Sequence, residues 1–324
     1  MLHLTGRLLA IAMAASAALT GVASAQTYPS RPIRLLVSYP PGGAADVVAR
    51  AVGAPLSARL GQPVVVENRP GSNGNLAGEL VAGAAPDGHT LLLGPSALFG
   101  INPHLYAKMA IDPLKDLLPV ASLVSNALLL AANPKLGPLN FPDFVAFAGR
   151  ARSPLFYASI GNGSEHHLAM EMLKQTAHID LTHVPYKGGG PAALGVMAGD
   201  VAVMFGGGSV TSLIQSGELR GLAISGRRRS PALPDLPSIS ELYPDYEVTL
   251  WQGLFAPVGT RPEVVGRLRQ QVNAVLADPQ VMDKLAAAGS GDAYITTQAE
   301  FAARIRADYD KYGKVIKDIG LRVE

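Results

Sequence analysis

The chain of 324 residues contains no cysteine, which excludes disulfides, thiolate metal ligands and a cysteine-borne lipid anchor. Charge is nearly balanced, 27 Lys and Arg against 25 Asp and Glu, so no strong field exists to attract nucleic acid or an anionic membrane surface. After residue 25 no stretch approaches about 18 uninterrupted apolar residues, and that part of the chain is not expected to cross a membrane. Motifs that carry chemistry are missing as well. There is no Walker A sequence and no G-x-G-x-x-G after the first predicted strand. A nucleophile elbow would need G-x-S-x-G, and Gly207-Gly208-Ser209 lacks the following glycine. His167 and Glu171 share a helix face at i,i+4, but no H-E-x-x-H exists, and His104, His178 and His183 fall at spacings that define no ligand cluster. Neither a metal nor a cofactor is expected.

What is present begins with export. The start Met and Arg7 form a basic region, residues 8–22 an apolar run, and Ala23-Ser24-Ala25 an A-x-A site, so residues 1–25 read as a signal peptide cleaved after Ala25. A transmembrane anchor is the competing reading; its apolar run of about 15 residues falls short of the roughly 20 that span a bilayer. The expected mature chain starts at Gln26, is nearly neutral, and resides free in the periplasm.

Length and a 48% hydrophobic composition point to two cores of roughly 150 residues each. From residue 31 the pattern alternates: an apolar run at 33–39, a helical stretch at 44–60, a strand at 64–67, a helix at about 75–85 and a strand at 89–93. Residues 112–124 connect to a second alternation, with strands at 128–132, 155–158, 182–184 and 201–205 and helices at 141–151, 166–176 and 191–199. A Pro-rich stretch at 227–244 precedes the apolar run 250–257, and helices are expected near 263–277, 279–288 and 298–317. The expected fold class is α/β, each lobe a mainly parallel sheet flanked by helices. The first lobe comprises 26–125 plus about 248–290, the second 126–247, and 291–324 is a C-terminal helical segment packing on the lobes. Hinges are expected near 124–128 and 246–252.

In open parallel sheets ligands bind beyond the carboxyl ends of the strands, where helix N-termini offer free N–H groups. Four loops at such places are rich in Gly, Ser or Pro: residues 40–43, 94–97, 159–164 and 186–190. Glycine lets backbone approach a ligand, and first-turn N–H groups favour a carboxylate or phosphate. Any one of these loops is equally an ordinary turn; four of them, split between two lobes, favour an anion site. Asp46, at the start of its helix, is expected to shape the first loop as a cap, and Lys187 is either a ligand-facing charge or a solvated surface residue.

At these same loops the chain resembles the Bug family, periplasmic receptors of tripartite tricarboxylate transporters, along essentially its whole mature length. The matching segments are Tyr28-Pro-Ser-Arg-Pro-Ile33, Pro40-Pro-Gly-Gly43 with Asp46, Gly61-Gln-Pro-Val-Val-Val-Glu-Asn-Arg-Pro-Gly71 and Ala85-Pro-Asp-Gly88. Ser164 and His167 in G-S-x-x-H-L, His183-Val-Pro-Tyr-Lys-Gly188, Gly217-Glu-Leu-Arg220, Leu233-Pro-Asp-Leu-Pro237 and Trp251-Gln-Gly-Leu-Phe-Ala-Pro257 follow in order. The resemblance implies a two-lobed Venus-flytrap periplasmic-binding-protein fold that holds a carboxylate largely by backbone N–H groups and bridging waters. Carried onto this chain, the contacts would be Pro41, Gly42, Gly43, Ala44, Ser96 and Ala97 from the first lobe. Ser159, Gly161, Gly163, Ser164, His167, Tyr186 and Gly188 would come from the second. One departure stands out: where the family commonly has an acid and an amide after V-D-V-M-F, this chain has Gly206-Gly207. No acid is then placed to match an ammonium in a closed site, so a carboxylate without an amino group is expected.

The expected partners are a small organic carboxylate and the membrane subunits of a tripartite tricarboxylate transporter, with no nucleic acid, and the protein is expected to be a monomer. Signalling to a membrane sensor and, from another class, a periplasmic hydrolase remain as alternatives; uptake by a deletion strain and turnover of bound ligand discriminate them. Trp251 is equally a cleft-lining and a packed residue on sequence grounds.

Overall fold

A computed structural model describes residues 28–208 and 210–322, and the expected signal peptide lies outside them. The first part of the chain forms β1 (Ile33–Val37), α1 (Ala44–Leu60), β2 (Val64–Asn68), α2 (Asn75–Ala82), β3 (Thr90–Pro95), the short helices α3 (Ser96–Gly100), α4 (Asn102–Leu105) and α5 (Pro113–Asp116), and β4 (Leu117–Ala127). Then come β5 (Leu129–Ala132), α6 (Phe141–Arg150), β6 (Phe156–Ser159), α7 (Glu165–Ala177), β7 (Thr182–Pro185), α8 (Gly189–Ala198), β8 (Val203–Gly206), α9 (Val210–Gln215) and β9 (Arg220–Ile224). The chain returns through β10 (Thr249–Pro257), α10 (Pro262–Leu276), α11 (Pro279–Ala287), β11 (Asp292–Ala293) and α12 (Gln298–Asp318).

The strands make two sheets, ordered β11-β4-β10-β3-β1-β2 and β7-β6-β8-β5-β9. Successive residues of a strand point to opposite faces, and the continuous apolar runs of β1 and β3 supply both faces at once. Leu35 and Leu93 join one core with α1, α10 and α11, while Leu36 and Leu92 join another with Phe99, Phe255 and Phe301. Two further cores cover the second sheet. This is a two-lobed α/β fold.

The sheets are mixed, which corrects the expectation that each is mainly parallel. β1 pairs in parallel with β2 and β3, and β6 with β7 and β8. β10 runs antiparallel to β3 and β4, β11 to β4, and β5 to β8 and β9. The antiparallel pairs all involve β4, β5 or β10, the strands at the two crossings between sheets, so alternation of elements did not reveal their direction. β4 itself falls largely in a stretch expected to be a connector. Its sequence, with Pro119, Ser122, Ser125 and Asn126 among apolar residues, has no clean period of two because it pairs with β10 through two register irregularities.

The chain crosses from one sheet to the other at Leu128 and returns at Val248. Ser225 ties the two crossings: its Oγ accepts the Leu128 N–H at 2.8 Å and donates to the Val248 carbonyl at 2.6 Å. Beside them, α12, opened by a Thr297–Glu300 capping box, packs on α3, α4 and β4 and also on α7. Ala97, Ile101 and Leu105 from the first lobe, Leu168 from the second, and Tyr312, Val315 and Ile316 from α12 form one buried cluster that joins all three.

Candidate functional site

Ser96 Oγ, just past the end of β3, donates to Glu165 Oε1 at 2.9 Å, just past the end of β6. The loops at 94–97 and 159–164 therefore meet across the lobes, and those at 40–43 and 186–190 leave the same ends of their sheets because β1 runs parallel to β3 and β7 to β6. A second contact brings the loop after β8 to the loop after α11, where a Cβ on Gly208 would stand 2.7 Å from the Gly289 carbonyl oxygen.

Asp46 organises the loop at residues 40–43. It accepts the Gly42 N–H at 3.0 Å, Arg50 Nε at 3.0 Å and Asn68 Nδ2 at 3.0 Å, and Asn68 also donates to the Tyr39 carbonyl. The Arg50 guanidinium, then the Gly42 N–H, outweigh burial and hold the carboxyl at about 2. Gly42 has φ +83°, a conformation that a side chain would strain. Pro41, Gly42, Gly43 and Ala44 are exposed, and the N-cap of α1, Gly43, offers no side chain to its first-turn N–H groups. Those groups remain available to an anion.

Ser96 and Ala97 behave differently: at 1% and 0% exposure they are interior residues. Their hydroxyl and N–H face the Glu165 carboxyl, so this anchor is filled by the protein's own side chain. Burial raises the Glu165 carboxyl above its ordinary range, against the hydrogen bonds that favour its charge.

In the second lobe, Ser164 caps α7, accepting the His167 N–H at 3.3 Å and donating to the Gly161 carbonyl at 2.8 Å. Ser159 Oγ accepts the Gly161 N–H at 3.1 Å and lies 2.6 Å from His183 Nε2. The Gly163 N–H donates to His167 Nδ1 at 3.1 Å, and the rings of His167 and His183 stack at 3.8 Å between centroids, 8° from parallel. Ser159, Gly163 and His167 are buried, whereas Gly161 and Ser164 are half-buried. The N-cap of α8 is Gly188, which has φ +116° and offers no side-chain cap; Gly188 and Tyr186 are half-buried and Lys187 is exposed. Tyr186 packs its ring against Gly195, where any Cβ would stand 2.7 Å from its Cζ.

Other residues singled out in the sequence separate from the site. Glu171 accepts Tyr157 Oη at 2.6 Å and Lys174 Nζ at 2.8 Å, so its carboxylate serves the interior of the lobe. Among the described residues no group of three His, Asp or Glu side chains is placed to hold a metal ion. Trp251 is packed, not cleft-lining: it is 1% exposed, meets Phe301 edge-on, and donates Nε1–H to Asp308 Oδ2 at 2.7 Å. Sequence reasoning missed His183 and Glu165. His183 sits opposite Tyr157 in the parallel pairing of β6 and β7, a neighbour 26 positions away in the chain that spacing along the sequence does not reveal.

Comparison with known proteins identifies the family. Residues 48–321 match the family model described as tripartite tricarboxylate transporter family receptor. BugT of Bordetella pertussis is 34% identical over 316 residues, covering 96% of both chains. The structure of R. palustris Rpa4515 with adipate is 31% identical, covers 91% of this chain and 100% of its own, and superposes with a TM-score of 0.78. MatC of Rhodopseudomonas palustris with bound malate is also 31% identical, covers 89% and 100%, and gives 0.73. With the family model matched over residues 48–321 and a relative 34% identical across 96% of both chains, this chain belongs to the tripartite tricarboxylate transporter family of receptors.

Proposed function

We propose that the protein is a periplasmic solute-binding receptor that captures a small organic carboxylate between its lobes and delivers it to the membrane subunits of a tripartite tricarboxylate transporter. One observation carries the assignment of the guest: two helices of opposite lobes, α1 and α8, follow glycine N-caps without side-chain caps, at the sheet ends whose loops meet across the lobes. Such N-termini stabilise negative charge. On this reading Pro41, Gly42, Gly43, Ala44, Gly161, Ser164, Tyr186 and Gly188 meet the ligand, with Lys187 at the rim. Ser96, Ala97, Ser159, Gly163 and His167 support them from behind, and Asp46 shapes the first loop. The carboxylates in the solved relatives, adipate and malate, belong to the same chemical class and neither has an amino group. Here a side chain at Gly206 would overlap Val210, so no acid fits at 206 to pair with an ammonium. Because contact with both lobes exists only when they close, ligand shifts the population to the closed form. Cleavage after Ala25 and a monomeric state complete the proposal; intact mass and elution volume of the exported protein test both.

The deciding experiment is a thermal-shift screen of residues 26–324, refolded to remove co-purified ligand, against carboxylates, amino acids and sugars. A ligand at 100 times its Kd stabilises by about 2.7 kcal/mol, a readable shift of a few degrees. Stabilisation by carboxylates such as adipate or malate, but not by glutamate or aspartate, is the expected outcome. Shifts with amino acids or sugars alone would overturn the assignment.

Asp46→Ala removes three hydrogen-bond partners at once and frees the Gly42 N–H and Asn68 from the loop. We expect carboxylate affinity to fall at least tenfold, measured by calorimetry, with a stability loss of about 1–3 kcal/mol. Unchanged affinity would mean that the loop at 40–43 does not touch ligand.

A further inference from the structure

The second-lobe loop has a shape that its own bonds enforce only in part: Ser164 N–H, Ser164 Oγ and Ser159 Oγ all donate to the Gly161 carbonyl. Gly161 and Gly163 stand at φ +133° and +73°, and glycine visits many other conformations as readily. Groups behind the loop engage the N–H side that these bonds leave over. Tyr157 of β6, His183 of β7 and His167 of α7 form a three-ring stack directly behind it, with Tyr157 and His183 at 5.0 Å and the two imidazoles at 3.8 Å. The N–H groups of both glycines end on that stack: Gly163 donates to His167 Nδ1, and Gly161 donates to Ser159 Oγ, which His183 Nε2 holds at 2.6 Å.

We infer that the His167–His183 stack is the positioning element of the second-lobe binding loop, residues 159–164, and that the loop keeps its ligand-ready form only while both rings are neutral. The inference rests on the receptor function proposed above. His167 accepts a hydrogen bond at Nδ1, so the neutral ring carries its proton on Nε2. A second proton would have to go on Nδ1, placing N–H against N–H and breaking the Gly163 bond. A charge on either ring also faces the other ring across the stack.

The groups around the pair do not compensate such a charge. Glu171 is the nearby carboxylate, but Tyr157 and Lys174 already engage it, and the Lys174 ammonium opposes a further cation. Burial lowers the His167 ring, with Glu171 opposing and Lys174 reinforcing. Burial and then His167 bring the His183 ring down to about 4, against Glu171. The sign follows: loop order is fully present above the ordinary histidine range near 6.5 and is lost as pH falls from there through the lowered folded values of the two rings, about 4 for His183.

The test compares the full mature wild type with His167→Ala, His167→Asn and His183→Ala. Asparagine offers an acceptor near the Nδ1 position but does not titrate. In ligand-free protein, hydrogen exchange of peptides spanning 159–167 should rise at least tenfold in His167→Ala and His183→Ala and recover in His167→Asn. This readout needs no ligand, so it stands even if the carboxylate assignment fails. With adipate and malate as probes, Kd at pH 7.5 should rise at least tenfold in both alanine variants. The ratio of wild-type to His167→Asn Kd, from which ligand ionisation cancels, should rise at least threefold between pH 7.5 and 4.5. Unchanged loop exchange in both alanine variants, or a flat ratio across that range, would overturn the inference. Normal loop behaviour with no binding of either probe to wild type would instead count against those two carboxylates as ligands.

Discussion

Replacing Asp308 by alanine is expected to destabilise the protein by about 3–5 kcal/mol, the loss typical of a buried ion pair deprived of one partner. Asp308 is 1% exposed. Its Oδ2 accepts Trp251 Nε1–H at 2.7 Å and Arg304 Nε at 2.9 Å, and its Oδ1 pairs with Lys311 Nζ at 2.8 Å. Burial alone would raise its carboxyl, but the charges of Lys311 and Arg304 together hold it below the ordinary range. Alanine would leave an indole N–H and two partly buried cations without their common acceptor. The damage extends to the crossing between lobes, because Arg304 also reaches Glu247 at 3.1 Å and Thr249 Oγ1 at 2.6 Å. Asp308→Asn keeps an acceptor for Trp251 and should cost less. Urea unfolding followed by emission of Trp251, the sole tryptophan, measures both. A loss below about 1 kcal/mol for Asp308→Ala would show that the network is not formed in solution.

Gly163→Val should cost about 2–6 kcal/mol and weaken carboxylate binding at least tenfold, for two separable reasons. At φ +73° a β-branched residue is strained by about 1–3 kcal/mol. Its Cβ would also overlap Leu105 Cδ2 and lie 3.1 Å from Cδ1, an overpacked contact across the lobe junction that adds about 1–3 kcal/mol. Leu105→Ala alone destabilises because it empties a buried position, yet in the double variant it makes room for the valine. The two changes together should therefore fall short of their sum by about 1–3 kcal/mol, while the φ strain remains. Additivity within about 0.5 kcal/mol in chemical denaturation would refute the contact between Gly163 and Leu105.

Much of the architecture was legible in the chain because it depends on local regularities. The apolar run expected at 33–39 holds β1, and the helix expected at 44–60 is Ala44–Leu60, since one is a short unbroken apolar segment and the other is closed by Gly61 in the left-handed conformation. The helix expected near 298–317 is Gln298–Asp318, and the Thr297–Glu300 capping box opens it. β4 did not, because Pro119 and the polar residues near its end interrupt the period that strand recognition uses. The helices α3 and α4 were not predicted either; each is about one turn long and has little periodicity to detect.

The site divides along the same line. Sequence by itself determined the exposed loop at 40–44 and the uncapped start of α8, because glycine and proline act through their own φ and need no partner to do so. It also determined the family, through motifs that keep their order over the chain. Only the tertiary structure decided which polar groups are still free. Ser96 and Ala97 are engaged by Glu165, 69 and 68 positions away, and His183 meets Ser159 and His167 from a neighbouring strand. Trp251 became a core residue through Asp308, 57 positions further on. Hydrogen bonds and burial are set by distance in space, and residues that share one bond here are separated by whole helices and strands, so no local pattern records them.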